Sequence, residues 1–151
     1  MIAVDTNILI YAHRFESPFN QAAFERLTDL ANGTAAWAIP WPCLHEFLGV
    51  VTNPRAFAVP TSLERALGQI DIWLESPSLA LLTESPTHWS ILRGLLVESA
   101  ITGPRVHDAR IMALCLQHGV RELWSADRDF SRFAGVTVVN PLVGKRGFHE
   151  Q

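Results

Sequence analysis

Four acids, Asp5, Glu46, Asp108 and Asp127, are the residues of this sequence whose type and placement suit chemistry. Asp5 follows the apolar run Ile2-Ala3-Val4, and Asp127 stands just past a second run that contains Leu123-Trp124. If both runs are β-strands, both acids project from the carboxyl edge of one sheet, although an aspartate after a strand serves equally well as a turn or N-cap residue. On a helical period Asp108 shares a face with Ile111, Met112 and Cys115, so its carboxyl points toward the core from the first turn of a helix. A carboxylate there needs a proton, an arginine or a metal ion to balance it. The plainer reading is a first-turn aspartate favoured by the helix dipole. Glu46 faces almost opposite the apolar stripe of Leu44, Phe47, Leu48 and Val51, where a solvated glutamate is the ordinary occupant. Only the company of the other three acids singles it out.

Gathered at one sheet edge, four carboxylates repel one another, and a hard divalent cation such as Mg²⁺ or Mn²⁺ removes that repulsion. The chemistry that follows is phosphodiester hydrolysis. Bound metal lowers the pKa of a water and stabilises charge on phosphoryl oxygens, with no cysteine, serine or histidine nucleophile.

The elements that must bring these acids together are short strands alternating with helices. Apolar runs at residues 2–5, 36–40, 79–82, 122–125 and 136–139 read as strands. Helical patterns cover residues 6–13, 18–31, 42–51, 86–101 and 106–118, and another runs to residue 75 from a cap at Thr61 or Ser62. Asn32-Gly33 and Gly119 are stop signals, and Pro42 suits a first helical turn. The alternation implies an α/β fold, a three-layer α/β/α domain around a mostly parallel five-stranded sheet. Ligands of such sheets bind beyond the carboxyl ends of the strands, where strand order reverses.

Composition sets bounds on this reading. The 151 residues suit one domain, and no repeat or linker divides them. With 48% hydrophobic and 18% charged residues the chain has the material for a packed core, which argues against disorder. No apolar stretch reaches the roughly eighteen residues that span a bilayer, and the N-terminus lacks the basic region of a secretory signal. Cys43 and Cys115 lie in apolar helical patterns and read as reduced thiols of a cytoplasmic protein, neither a disulfide nor a zinc site. The net charge of −3 lends no support to nucleic-acid binding by the whole surface. The basic residues are nearly all arginine, with Lys145 the only lysine, so a local arginine rim is the form that phosphate binding would take.

Asp5-Thr6-Asn7-Ile8-Leu9, His45-Glu46-Phe47, Val106-His107-Asp108-Ala109-Arg110-Ile111 and Ser125-Ala126-Asp127-Arg128-Asp129-Phe130 resemble the ordered acidic motifs of PIN domains. More narrowly, they look like those of VapC toxins from bacterial toxin–antitoxin pairs. Any one motif is weak; four in order, with Gly119 and Asn140-Pro141-Leu142 also in place, are specific. The resemblance implies a PIN-like fold over residues 1–151 and a Mg²⁺- or Mn²⁺-dependent endoribonuclease, the toxic component of a type II toxin–antitoxin system. It implies Asp5 and Asp108 as principal metal ligands, Asp127 as a further ligand directly or through water, and Glu46 as a ligand or water-positioning base. Asn7 and Ser125 match supporting polar positions, and Asp129 matches a less constant acid outside the core set. The implied partners are RNA, a small VapB-type antitoxin that plugs the acidic pocket with a basic side chain, and a second copy of the chain in a homodimer. The apolar helices within residues 42–75, with their aromatics, would supply the dimer patch.

Other residues read as structural. His13 and His107 neighbour the site without a role in it, and His118 and His149 look like helix-end and tail residues. Trp37, Trp41, Trp73, Trp89 and Trp124 are scattered, which fits core packing better than a base-stacking platform. Arg14, Arg105, Arg110 and Arg128 adjoin the acidic motifs and are candidates for a phosphate rim. An aspartyl phosphatase would carry a second aspartate where Asn7 stands and a lysine in the central region, and this chain has neither. A non-catalytic binding module of the same fold would have lost acids that are intact here.

Overall fold

The computed structural model describes residues 1–143, so the reading of His149 as a tail residue falls outside it. The chain runs β1 (Ile2–Val4), α1 (Thr6–His13), α2 (Asn20–Asn32), β2 (Trp37–Pro40), α3 (Trp41–Val51), α4 (Leu63–Leu74), β3 (Leu79–Leu82), α5 (His88–Glu98), α6 (Val106–Gln117), β4 (Glu122–Trp124) and β5 (Thr137–Val139). Two 3₁₀ turns that the sequence did not announce lie at Gly103–Arg105 and Arg128–Arg132. Each flanks an acidic motif.

The five strands form one sheet in the order β3-β2-β1-β4-β5 with every pairing parallel. The register sets Ile2 beside Trp37 on one side and Glu122 on the other, and Val4 beside Trp124. Right-handed crossovers from β1 to β2 and from β2 to β3 put their helices on one face of the sheet, and the return from β3 to β4 puts its helices on the other. The packing agrees: α1 lies against α2 and α3, α3 against α4, and α5 against α6. Both sheet faces are therefore covered, and Ala3, Val4, Ile39 and Leu123 are completely buried. Strand order reverses beside β1, which opens a crevice at the carboxyl ends of β1 and β4.

Four of the five expected strands are one residue shorter than their apolar runs, because the last or first residue already serves the next element. Asp5 shows this best. Its N–H still donates to the Trp124 carbonyl at 2.9 Å, while its side chain already caps α1. Pro42 sits in the first turn of α3 and Ser62 caps α4 by accepting from the Arg65 N–H, both as the residue types require. Gly33 ends α2 in an extended conformation, so that stop is not a left-handed cap. In α6, Ala109, Ile111, Met112, Ala113, Leu114 and Cys115 are all buried, so the helix has no sharply defined apolar stripe. Cys43 and Cys115 are free, buried thiols, as their setting implied. Among the described residues no helix is long and apolar enough to cross a membrane.

The two helices behind the crevice end alike with different residues. α6 closes on Gly119 at φ 70°, with the Val120 N–H donating to the Cys115 carbonyl at 2.9 Å. α5 closes on Ala100 at φ 52°, with the Ile101 N–H donating to the Leu96 carbonyl at 2.9 Å. Both are Schellman turns, and only the first has the residue that adopts a left-handed backbone without strain. A Cβ at Gly119 would meet nothing within 4 Å, so Gly119→Ala tests backbone strain alone. Urea unfolding is expected to show Gly119→Ala less stable by about 1 kcal/mol and Ala100→Gly more stable by a few tenths. Shifts of the same sign in both variants would contradict this account.

Candidate active site

Asp5 is the best-anchored acid in the structure. It is 6% exposed and lies where β1 gives way to α1. Its Oδ1 accepts from the Thr6 N–H at 2.8 Å and from the Cys43 thiol at 3.7 Å. Its Oδ2 accepts from the Ser125 hydroxyl at 2.7 Å and from the Asn7 amide at 3.3 Å. Burial pushes the carboxyl up to about 6, against the pull of the Ser125 and Thr6 hydrogen bonds, and the negative charge of Glu46 adds to the rise.

The network continues into the loop after β4. Asn7 Oδ1 accepts from the Ala126 N–H at 3.1 Å, and the Ser125 hydroxyl accepts from the Asp127 N–H at 3.0 Å. Asp127 Oδ1 in turn accepts from the Asp129 N–H at 2.9 Å and caps the 3₁₀ turn. The N–H groups of Ala126 and Asp127 are thus each tied, within two hydrogen bonds, to Asp5.

Glu46 comes in from α3. It is exposed, as its position opposite the apolar stripe implied, yet its Oε2 accepts from the Thr6 hydroxyl at 3.2 Å. Asp108, from the first turn of α6, is half-buried. Its carboxyl is raised first by burial and then by the charge of Asp127, while Arg105 pulls it down. Asp5, Glu46, Asp108 and Asp127 all line one open cleft of about 520 Å³, with Thr6, His107 and Arg110 among the other lining side chains. All four sequence candidates therefore converge on one cleft.

Other expectations are corrected. His107 does line the cleft, but His13 does not: eight residues along α1 carry it roughly 12 Å from Asp5, where Gln69 at 3.1 Å and Thr61 at 3.0 Å hold its ring. Arg14 lies in that second region, bound to the Val59 carbonyl at 2.9 Å and stacked over Phe57, so it is no part of a rim. Arg110 lines the cleft and pairs with Glu84 at 2.8 Å, and Arg105 pairs with Asp129 at 2.6 Å. Asp129, outside the core set, is occupied by that pair, which holds its carboxyl below the usual range. Trp37, Trp73 and Trp124 are core residues, whereas Trp41 and Trp89 are 36% and 63% exposed. Thr6 escaped the sequence reading. Its only signal is its place directly after the strand-ending aspartate.

The donor set suits a hard divalent cation. It consists of carboxylates, and the nearest thiol, Cys43, is held far from ionisation by its burial. Among the described residues no three such groups already close on one point as a cage. Mg²⁺ takes one or two direct carboxylates and keeps several waters, and an open cleft ringed by acids answers that requirement.

Comparison with known proteins agrees with this geometry. A family model described as PIN domain matches residues 2–136. Ribonuclease VapC43 of Mycobacterium tuberculosis is 34% identical over 145 residues, covering 96% of this chain and 98% of that protein. The solved structure of VapBC2 from Rickettsia felis, bound to a promoter DNA fragment, superposes with a TM-score of 0.66 at 20% identity, over 92% of this chain and 98% of that one. Mycobacterium tuberculosis VapC20, described as a sarcin-ricin loop cleaving toxin, gives a TM-score of 0.64 at 19% identity, over 87% and 93%. At those identities the solved structures speak to the fold alone.

The raised Asp5 carboxyl has a consequence for stability in chelator. The folded state keeps a proton up to about pH 6 that the unfolded chain releases near 3.8. Folding therefore takes up a proton between those values, and the stability from Asp5 is present at low pH and lost as pH rises through about 6. Urea unfolding from about pH 4 to about pH 8 is expected to show wild type losing stability relative to Asp5→Asn. Parallel profiles would contradict the burial of this charge.

Proposed function

This chain belongs to the PIN-domain family and is an endoribonuclease of the VapC type, the toxic member of a toxin–antitoxin pair; we propose that Asp5, Glu46, Asp108 and Asp127 form its active site and hold Mg²⁺ or Mn²⁺ there. The observation that carries the site assignment is the convergence of these four acids, from four separate segments of the chain, on the crevice beside β1. PIN-domain ribonucleases of this type are generally metal-dependent.

A divalent ion bound in the cleft supplies Lewis acidity to phosphoryl oxygens and acidifies a water. Asp5 and Asp108 would be its principal ligands, with Asp127 contributing directly or through water. The Thr6, Ser125 and Asn7 hydrogen bonds hold Asp5 at a fixed orientation, so binding a cation does not require the carboxylate to be ordered first. Thr6 holds Oε2 of Glu46. Oε1 would orient the attacking water and take its proton as that oxygen adds to phosphorus, the bond from phosphorus to the leaving oxygen breaks, and the leaving oxygen takes a proton from solvent. Arg110 stands at the cleft wall but is paired with Glu84, so it offers the phosphate a charge already partly compensated.

The partners follow from the surface. The antitoxin carries an arginine or lysine into the acidic cleft, where a guanidinium pairs with carboxylates and excludes the metal. Its apolar residues lie along the groove between α2 and α4, lined by Phe24, Leu27, Ile72 and Trp73. A homodimer uses the opposite side of α4, where Leu63, Leu67 and Leu74 are exposed. Phe47 and Trp73 are buried, so this patch is aliphatic and not the aromatic one anticipated from the sequence.

Asp108→Asn keeps the side chain's shape and removes its charge. Cleavage of total RNA in Mg²⁺ is expected to fall by at least about a hundredfold, with far-ultraviolet circular dichroism unchanged. Full activity would refute the site. Mg²⁺ is also expected to raise the melting temperature of wild type more than that of Asp108→Asn; equal shifts would place the ion elsewhere. The partner assignment is checked by expressing the chain alone and together with the product of the adjacent gene. Unimpaired growth alone, with no small protein co-purifying, would refute the toxin role and leave the nuclease intact.

A further inference from the structure

The start of α3 carries an aromatic pair that the hydrolytic chemistry leaves unused. Trp41 is the first residue of the helix and is 36% exposed. One turn later His45 lines the acidic cleft, directly before Glu46. The two rings stack, with centroids 5.9 Å apart and planes inclined by 29°. An indole exposed at a helix start is not needed by the core, which already has Trp37, Trp73 and Trp124. What it supplies is a flat, polarisable, rigid surface beside the cleft wall, backed by a second ring.

We propose that Trp41, backed by His45, is a stacking platform for an unpaired nucleobase of the RNA whose backbone enters the cleft. The inference rests on the ribonuclease reading of that cleft. Its physical basis is the mismatch between a backbone that needs cations and a cleft ringed by acids. Two of the arginines nearby are engaged, Arg110 by Glu84 and Arg105 by Asp129, which leaves Arg128, exposed beside Asp127, and the chain's formal charge is −3. Few cations are therefore set against the ring of acids, and contacts that carry no charge add to the affinity. Base–aromatic stacking is such a contact; every base has a π-face, so it tolerates sequence. Trp41 and Glu46 leave α3 on different sides, so the link from platform to cleft is His45, one turn after Trp41, which stacks on the indole and itself lines the cleft. Trp41 is thus a substrate-binding residue, distinct from the acids. The competing account is a surface Trp–His pair that only stabilises the helix.

The test uses a fluorescein-labelled single-stranded RNA 12-mer of mixed sequence and the full chain. Cleavage is followed with otherwise wild-type protein, and binding by anisotropy in an Asp108→Asn background. Trp41→Ala is expected to weaken binding and raise KM by about tenfold or more. Trp41→Phe should retain most of the affinity, and kcat should change little in both. Because stacking releases no counterions, the slope of log Kd against log salt is expected to be the same with and without the indole. Equal affinity of wild type and Trp41→Ala overturns the proposal, as does a loss that Trp41→Phe does not recover. If wild type cleaves the oligonucleotide while Trp41→Ala does so with unchanged KM, the platform fails and the nuclease stands. If wild type neither cleaves nor binds it in Mg²⁺, both fail.

Discussion

A carboxylate withdrawn from water at the end of a central strand is the constraint around which this molecule is arranged. Asp5 has little contact with solvent, and an isolated buried charge is far too costly to survive. The structure answers with four donors: the Thr6 N–H, the Ser125 hydroxyl, the Asn7 amide and, more distantly, the Cys43 thiol. These groups come from α1, from α3 and from the end of β4. The hydrogen bonds that make the charge tolerable therefore also join the two strand ends between which the cleft opens, and through Ser125 they extend to the backbone of Asp127.

Satisfying Asp5 does not neutralise it, and its neighbours sharpen the imbalance. Glu46 raises Asp5, and Asp127 raises Asp108. The arginines that offset these charges do so from the margin, each already paired with an acid outside the ring. The cleft is consequently left with an unmet demand for positive charge in a partly desolvated place. A divalent ion would meet it productively and, in the proposed complex, a partner's guanidinium unproductively, so activity and inhibition would draw on one electrostatic property.

The same anionic cleft makes RNA a difficult substrate, since its backbone carries the wrong sign. Binding must then depend on contacts placed around the acids. Beside the cleft, the start of α3 offers aromatic surface in Trp41, stacked on the cleft-lining His45. On the far side of the α1–α4 layer, α4 exposes apolar residues on opposite sides, Ile72 on one and Leu63 and Leu67 on the other. Each is more apolar surface than a solitary helix needs, and each lies where a macromolecule can cover it without closing the cleft.

What could be read along the chain was whatever depends on short-range order. The strands, the helices and the left-handed stop at Gly119 follow from period and from cap chemistry, which act over a few residues. Asp5, Asp108 and Asp127 were legible because each sits just past a strand or early in a helix, and those are the places a parallel sheet turns toward its crevice. Tertiary structure alone decided the rest. Glu46 and Asn7 have no periodic signature and were reached only through the motif resemblance; the contacts that hold them appear when Thr6 and Ser125, 40 and 118 residues away, arrive beside them. Trp41 and Trp37 are the same residue type four positions apart, yet one is exposed and the other fully buried. Burial of that kind is set by which elements pack above a residue, and packing is a property of contacts between distant segments that no local pattern encodes.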